Sequence, residues 1–169
     1  MFKVKDVVVY GSHGVCEIVG IETRKIGKES HPYFVLKPKS DKGATYFVPT
    51  WNEKAWSKMR KVMTRQDVDA LIDSMPTKTP TWIANENERK EVYKKILASG
   101  DHAVIISMVQ ALFLHKKERE AEGKRLHISD EHFMKDAEQL LYNEWQYVLN
   151  VDKAGLMAYI LERIENNPI

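Results

Sequence analysis

The feature that most constrains this chain is a β-branched run near its N-terminus that stops abruptly at a turn. Residues 7–10 are Val-Val-Val-Tyr, residues 11–14 are Gly-Ser-His-Gly, and a second apolar run begins at Val15. Two such runs around a glycine-containing turn predict a β-hairpin. Because the hairpin comes so early, we expect the first third of the chain to fold as a sheet. After about residue 67 the spacing of apolar residues is helical instead.

Short strands are predicted in this first part over residues 7–10, 15–22, 33–36 and 45–48. Turn residues separate them. Pro49 and residues 51–61 are predicted to end the sheet. So few strands cannot form a two-sheet sandwich, and they favour a small, strongly bent SH3- or Tudor-like barrel. We therefore predict a β-module over residues 1–65. Such a barrel keeps exposed strand edges, which are either protected or used to pair with a partner sheet.

Residues 66–169 are predicted to form an all-helical domain, which makes the chain an α+β protein. Thr64 is a good N-cap for a first helix that Pro76 ends. A predicted linker, residues 77–81, leads directly to Trp82. Four further helices are predicted, each with an apolar face: about 85–98, 102–122, 129–148 and 153–164. Val104 is among the positions expected to be buried.

The formal net charge of the 169 residues is +2, and it is unevenly distributed. The net charge is +4 over residues 1–76, +3 over residues 77–125 and −5 over residues 126–169. The C-terminal end is therefore expected to face away from any polyanion. The single cysteine, Cys16, cannot form an internal disulfide, and no segment has the roughly 18 apolar residues of a membrane span. We expect a cytoplasmic protein without membrane association.

Side chains in the patterns that catalysis needs are missing from the sequence. There is no glycine-rich phosphate loop, and the spacing of His13 and Cys16 is better explained by a hairpin turn followed by a buried thiol. His127 and His132 are five residues apart, which does not place both on one helix face. We therefore predict that the protein is not an enzyme and has no cofactor, no metal site and no small-molecule substrate.

Trp82 has two interpretations. As an aromatic residue at a helix start it could pack on the core, as most tryptophans do. As an exposed residue after a linker, near Arg89, Lys90 and Lys94, it could insert at a base step in the minor groove of DNA. The other three tryptophans, Trp51, Trp56 and Trp145, are predicted to pack in the core or between domains.

A second basic segment, residues 116–125, also leaves two possibilities. Lys116 and its neighbouring cations alternate with Glu118, Glu120 and Glu122, which favours a solvated helix face with internal ion pairs. The same cations could instead contact phosphates.

Several segments, in their order and spacing, resemble the CarD/CdnL family of bacterial transcription regulators. In the first part of the chain these segments are 2–10, 13–15, 21–26, 33–36 and 47–49; in the helical part they are Thr81-Trp82, the basic helix that follows, and the junction 98–101. A related N-terminal module occurs in the transcription-repair coupling factor. The resemblance covers nearly the whole chain, and no single motif in it is decisive.

The resemblance implies that the N-terminal module binds the β subunit of RNA polymerase. The residues at the matching positions are Arg24, Lys25, Ile26, Phe47 and Pro49. Phe47 stands where many members carry a basic residue or another polymerase-contacting residue.

The resemblance also implies that the helical domain contacts promoter DNA weakly and largely without regard to sequence, at the upstream edge of the melted region. Trp82 matches a wedge residue that helps to hold the open complex. Glu86 and Glu88 stand where basic residues usually follow the tryptophan in the family, so the basic contacts are expected from Arg89, Lys90, Lys94 and Lys116. The alternative is a non-enzymatic adaptor whose helical domain binds a protein rather than DNA.

Overall fold

The computed structural model describes residues 2–40, 43–77 and 80–166. The chain is divided into two compact units, Met1–Met63 and Thr64–Ile169. All the strands among the described residues lie in the first unit, and the second is helical, so the α+β class is confirmed. Of the predicted linker 77–81, residues 78 and 79 lie outside the described residues.

The first unit is built on a five-stranded antiparallel sheet. Its strands are β1 (Val7–Tyr10), β2 (Val15–Ile26), β3 (Glu29–Pro38), β4 (Tyr46–Pro49) and β5 (Met59–Lys61), and a short helix, α1 (Glu53–Trp56), precedes β5. The order across the sheet is β4-β3-β2-β1-β5. The prediction that residues 51–61 only end the sheet is therefore wrong, because β5 returns to pair with β1.

The sheet is open rather than closed. β4 and β5 are its two outer strands, and they do not pair with each other among the described residues. The predicted SH3- or Tudor-like barrel is therefore not confirmed. The strands also differ greatly in length: β2 and β3 have 12 and 10 residues, whereas β1 and β4 have four each. The far ends of β2 and β3 form a two-stranded arm.

A two-residue turn and a bulge shape this arm. Ile26 is paired with Glu29, and Gly27 between them has φ +63°, a left-handed conformation that glycine adopts without steric cost. The register shifts between Ile18 and Gly20, so that one strand has an extra residue there. The consequence is that Ile18 and Ile21 lie on the same face of the sheet, although they are three residues apart.

One face of the sheet carries the core of this unit. We call it the core face; its buried residues are Val8, Cys16, Ile18, Phe34, Leu36, Val48 and Met59. Phe2 and Trp56 pack against them. The predicted buried thiol is confirmed, since Cys16 is fully buried and burial raises its pKa to about 11. A thiol with this pKa is protonated, and therefore unreactive, at neutral pH.

The second unit contains five helices among its described residues. They are α2 (Arg65–Asp73), α3 (Glu86–Ser99), α4 (His102–Ala121), α5 (Ile128–Leu149) and α6 (Lys153–Asn166). The predicted N-cap at Thr64 is confirmed, and Asp67 completes a capping box with it. Gly100 ends α3 in the left-handed conformation, and Asp101 caps α4, as their residue types predict.

The interior of the helical unit contains a polar cluster that the apolar pattern does not predict. The expected burial of Val104 is wrong: α4 turns His102 inward, and Val104 is 42% exposed. The indole nitrogen of Trp145 donates to Nδ1 of His102 at 3.2 Å, and Nε2 of His102 lies 3.3 Å from the carboxylate of Glu144. All three side chains are buried, and their mutual contacts make that burial tolerable.

Candidate functional site

Side chains alternate between the two faces of the sheet along each strand, and this alternation determines the face on which each predicted polymerase-binding residue lies. Arg24 and Ile26 lie on the face opposite to the core face, and Lys25 between them lies on the core face. Phe47 pairs with Val35, which puts it on the same face as Arg24. We call this surface the Arg24 face.

Arg24 and Phe47 are in direct contact although β3 separates their strands. The guanidinium carbon of Arg24 lies 3.4 Å from the centre of the Phe47 ring. Such a cation–π contact holds the long arginine side chain over the aromatic ring. Pro49 is paired with Tyr33 and lies on the same face. Four of the five predicted residues are thus on one surface, and Lys25 is not.

The main chain of β4 is available for pairing. The amide of Thr50 donates to the carbonyl of Pro32, which makes Thr50 and Pro32 a hydrogen-bonded pair. In an antiparallel ladder the pairs alternate, so Phe47 directs its N–H and C=O away from β3. Among the described residues no strand covers this outer edge. The Arg24 face therefore lies beside an edge that can accept a further strand.

An aromatic residue that we did not predict for this surface lies next to it. Trp51 follows β4 and is 47% exposed, so the first of its two predicted placements, in the core, is wrong. Its ring lies 4.4 Å from the ring of His31 and 4.9 Å from that of Tyr33, between ring centres. His31 is paired with Arg24, which places it on the same face. A half-exposed tryptophan fixed by two rings is typical of binding surfaces, and sequence spacing alone could not show it.

In the helical unit, Trp82 is held by two neighbours. Its ring stacks on the imidazole of His115 from α4, with the ring centres 3.7 Å apart and the planes inclined by 18°. The guanidinium carbon of Arg89 lies 4.4 Å from the ring centre. Trp82 is only partly buried, which places it between the two interpretations: it is neither a core residue nor a free side chain.

Arg89 does not occupy the position expected of a phosphate contact. It is only 5% exposed, and it forms two hydrogen bonds to the carboxylate of Asp130 at 2.9 and 2.8 Å. It also donates to the carbonyl of Ile83 at 2.8 Å. The hydrogen bonds to Asp130 raise the pKa of the guanidinium. The structure thus gives Arg89 a positioning role beside Trp82 instead of an exposed charge.

The remaining predicted DNA contacts are on the surface, and each has an acidic neighbour. Lys90 pairs with Glu86 and Lys94 with Glu91, both on α3. Lys116 lies 4.0 Å from Glu120 on α4. These pairs partly neutralise the cations, but exposed ion pairs are weak and dissociate readily. A phosphate could therefore compete for the three lysines.

The second basic segment has the internal ion pairs that one of its interpretations predicts. His115 lies 3.5 Å from Glu118, and Lys124 pairs with Glu122 at 2.9 Å. Arg119 donates to the carbonyl of Arg125. Lys117 lies over the Phe113 ring. These contacts favour a solvated helix face over a dedicated phosphate site.

Two classes of site have no counterpart in the described residues. Within residues 2–40, 43–77 and 80–166, no three histidine, cysteine or acidic side chains are grouped so that they could hold a metal ion. In the same ranges, no helix has the length and apolar character needed to cross a bilayer.

The sheet unit is similar to a known domain family. Residues 2–63 match the family model described as CarD-like/TRCF RID domain. The match ends at the boundary between the two units, and it includes Arg24, Ile26, Phe47 and Pro49. It associates the sheet unit with transcription proteins that interact with RNA polymerase.

Proposed function

We propose that the protein is a non-enzymatic transcription regulator whose sheet unit binds the β subunit of RNA polymerase. The observation that carries this proposal is the match of residues 2–63 to the CarD-like/TRCF RID domain. The contact surface is the Arg24 face, because it combines exposed side chains with the open edge of β4. Pairing at that edge supplies main-chain hydrogen bonds, and the side chains of Arg24, Ile26 and Phe47 supply specificity.

We propose further that the helical unit stabilises the open promoter complex at the upstream edge of the bubble. Trp82 is the residue that inserts at a base step, since its ring is large, apolar and partly exposed. Lys90, Lys94 and Lys116 contact phosphates after release from their acidic neighbours. Arg89 acts through Trp82 and does not touch DNA.

A second candidate function is supported by the ion pairs. Residues 64–169 contain 14 Lys and Arg against 18 Asp and Glu, so the helical unit is net negative. Each surface lysine expected to contact DNA also has a carboxylate beside it. This favours an adaptor whose helical unit binds a protein. The two functions differ in whether promoter DNA contributes to binding.

The polymerase contact is tested by charge reversal on the two faces of one strand. Replacing Arg24 and Ile26 together by Glu should abolish binding to the β subunit, because both side chains lie on the proposed surface. The matched control is Lys25→Glu, which lies between them on the other face and should leave binding unchanged. Pull-down of polymerase subunits with the full chain measures both. Undiminished binding by the double variant would place the interface elsewhere.

A further inference from the structure

We propose that the sheet unit has a second interaction surface: the outer edge of β2, together with the apolar groove beside it, binds an extended acidic–apolar peptide segment. This surface lies on the core face, whereas the proposed polymerase contact lies on the Arg24 face. The inference does not depend on the proposed function.

The first observation is an unpaired strand edge. β1 covers β2 only at Val15, Cys16 and Glu17, and the last main-chain contacts on that side are made by Ile18. From Val19 to the end of β2, no described residue pairs with the outer edge. An edge of this length is a template for a further strand.

The direction of the main-chain N–H and C=O groups also indicates that this edge is open. Pro32 has no N–H, and its carbonyl accepts a hydrogen bond from Thr50 on the other side. Its pair with Thr23 is therefore not hydrogen bonded, and Thr23 directs its N–H and C=O outward. By alternation, Ile21 and Lys25 do the same.

The second observation is an apolar groove next to this edge. It has a volume of about 1120 Å³, and its walls include Phe2, Ile21, Phe34, Trp56 and Val62. Ile21 belongs to both features: it lines the groove, and it lies on the open strand, where it is 52% exposed. A strand added at the edge would direct every second side chain toward the groove.

The third observation is the charge around the groove. Lys3 and Lys61 line it, and Lys25 lies on the same face of the open strand. None of these three side chains has a carboxylate partner among the described residues. The one acidic residue in the lining, Asp6, already accepts a hydrogen bond from the main chain of Lys3. Three lysines against one carboxylate leave the local charge of the described groove and open strand positive.

These three observations define the partner. Main-chain groups require an extended segment, the groove requires a bulky apolar side chain, and the lysines require acidic residues near it. Side chains of one strand that share a face are two residues apart. The segment is therefore expected to carry acidic, apolar and acidic residues at alternate positions. Phosphates could also attract the lysines, but they would not use the strand edge or the apolar walls.

The test uses a fluorescein-labelled peptide in which leucine is flanked by glutamates two positions away on each side, with threonine between them. We expect saturable binding to the full chain that weakens with salt, together with shifts of the amide resonances of Ile21, Thr23 and Lys25. A peptide with lysine in place of glutamate, and one with proline in place of threonine, should bind at least about tenfold more weakly.

Substitutions in the protein identify the surface. Thr23→Pro removes an outward N–H and leaves the ladder with β3 intact, so it should weaken binding by at least about tenfold, whereas Thr23→Val should not. If Thr23→Pro does not fold, Ile21→Glu is used instead. It places a negative charge at an exposed position beside the glutamates of the peptide, and it should weaken peptide binding by a similar factor. Amide resonances show that each variant is folded.

Four results would overturn the proposal. They are no saturable binding at millimolar peptide, equal binding by the folded Thr23→Pro or Ile21→Glu variant, resonance shifts at Phe47 in place of the β2 edge, and displacement of the peptide by oligothymidylate at lower concentration than by unlabelled peptide. The last result would assign the surface to nucleic acid. Loss of peptide binding without loss of polymerase binding, in the same variant, separates this surface from the Arg24 face.

Discussion

The ring of Trp82 contacts two side chains that come from different helices. His115 on α4 stacks on its ring, and Arg89 on α3 is fixed in turn by Asp130 on α5. This arrangement limits the motion of an aromatic ring that is still partly exposed. A ring held in this way needs little further ordering when it binds, which favours insertion between bases. Trp82 is thus in contact with two other side chains of the helical unit and is not a free side chain.

The Trp82→Ala variant separates the wedge from a core role. Its loss of unfolding free energy should be about 1–2 kcal/mol, the size of one ring pair and one cation–π contact. A core tryptophan would cost roughly 3–5 kcal/mol. Its open promoter complexes should be shorter-lived than those of the unmodified protein, as measured by the decay of heparin-resistant complexes. A large fall in melting temperature with an unchanged half-life of the open complexes would show that Trp82 has a structural role only.

Substitution of Arg89 distinguishes a buried ion pair from a phosphate contact. Arg89→Leu should lower the free energy of unfolding by about 3–5 kcal/mol, because it leaves the buried carboxylate of Asp130 without its partner. The control, Lys94→Leu, removes an exposed cation and should change stability by less than about 1 kcal/mol. Chemical denaturation measures both. A mild effect of Arg89→Leu on stability, with a strong loss of DNA binding, would show that the guanidinium serves DNA after all.

At the scale of elements, the local signals in the sequence predict the ends of the long helices well, but the predicted strands 15–22 and 33–36 are too short, because β2 and β3 extend each other as Val15–Ile26 and Glu29–Pro38. Thr64, Gly100 and Asp101 act as caps because their side-chain or backbone chemistry is local. β5 could not be predicted in this way, because a three-residue strand is defined by its partner β1, which is distant in the sequence. The exposed position of Trp51 also depends on packing against another strand.

The capping box of α2 predicts a pH-dependent stability. Hydrogen bonds from Thr64 lower the pKa of Asp67. A carboxyl group whose pKa is lowered on folding stabilises the fold above its ordinary pKa, and this contribution is lost as the pH falls through the lowered value. Thr64→Val should destabilise the protein by about 1 kcal/mol at neutral pH. The difference in the free energy of unfolding between this variant and the unmodified protein should become smaller at acidic pH.

Thermal unfolding between neutral and strongly acidic pH measures this difference. The control is Thr81→Val, an exposed threonine outside the helices, which should show no pH-dependent difference. A difference for Thr64→Val that stays constant with pH would show that Asp67 is not coupled to the cap.

At the scale of the whole molecule, the chain is divided into two compact units, a sheet unit and a helical unit. The resemblance of the sheet unit to the CarD-like/TRCF RID domain could be found from residue order, since local strand and turn residues carry it. The DNA contacts could not be assigned in the same way. Whether Arg89 is exposed depends on Asp130, which is 41 residues away. Counting Arg89 among the exposed cations therefore overstates the positive charge near Trp82.

The charge that remains on the helical unit limits its affinity for free DNA. Each phosphate contact steepens the log–log dependence of affinity on salt by about 0.9. With Arg89 buried, Lys90, Lys94 and Lys116 remain of the predicted cationic contacts, and each must first leave an acidic neighbour. We therefore expect weak binding to free DNA, a shallow salt dependence and little preference for sequence.

We propose that the helical unit stabilises promoter DNA in the complex that the sheet unit forms with RNA polymerase. Fluorescence anisotropy of a forked promoter fragment, titrated with the protein alone and again with saturating RNA polymerase, tests it directly. We expect weak binding by the protein alone and a more stable polymerase–fragment complex when the protein is added. Trp82→Ala and the Arg24→Glu, Ile26→Glu double variant should both reduce this effect. Tight, sequence-selective binding without polymerase, or a polymerase–fragment complex that the protein leaves unchanged, would contradict it.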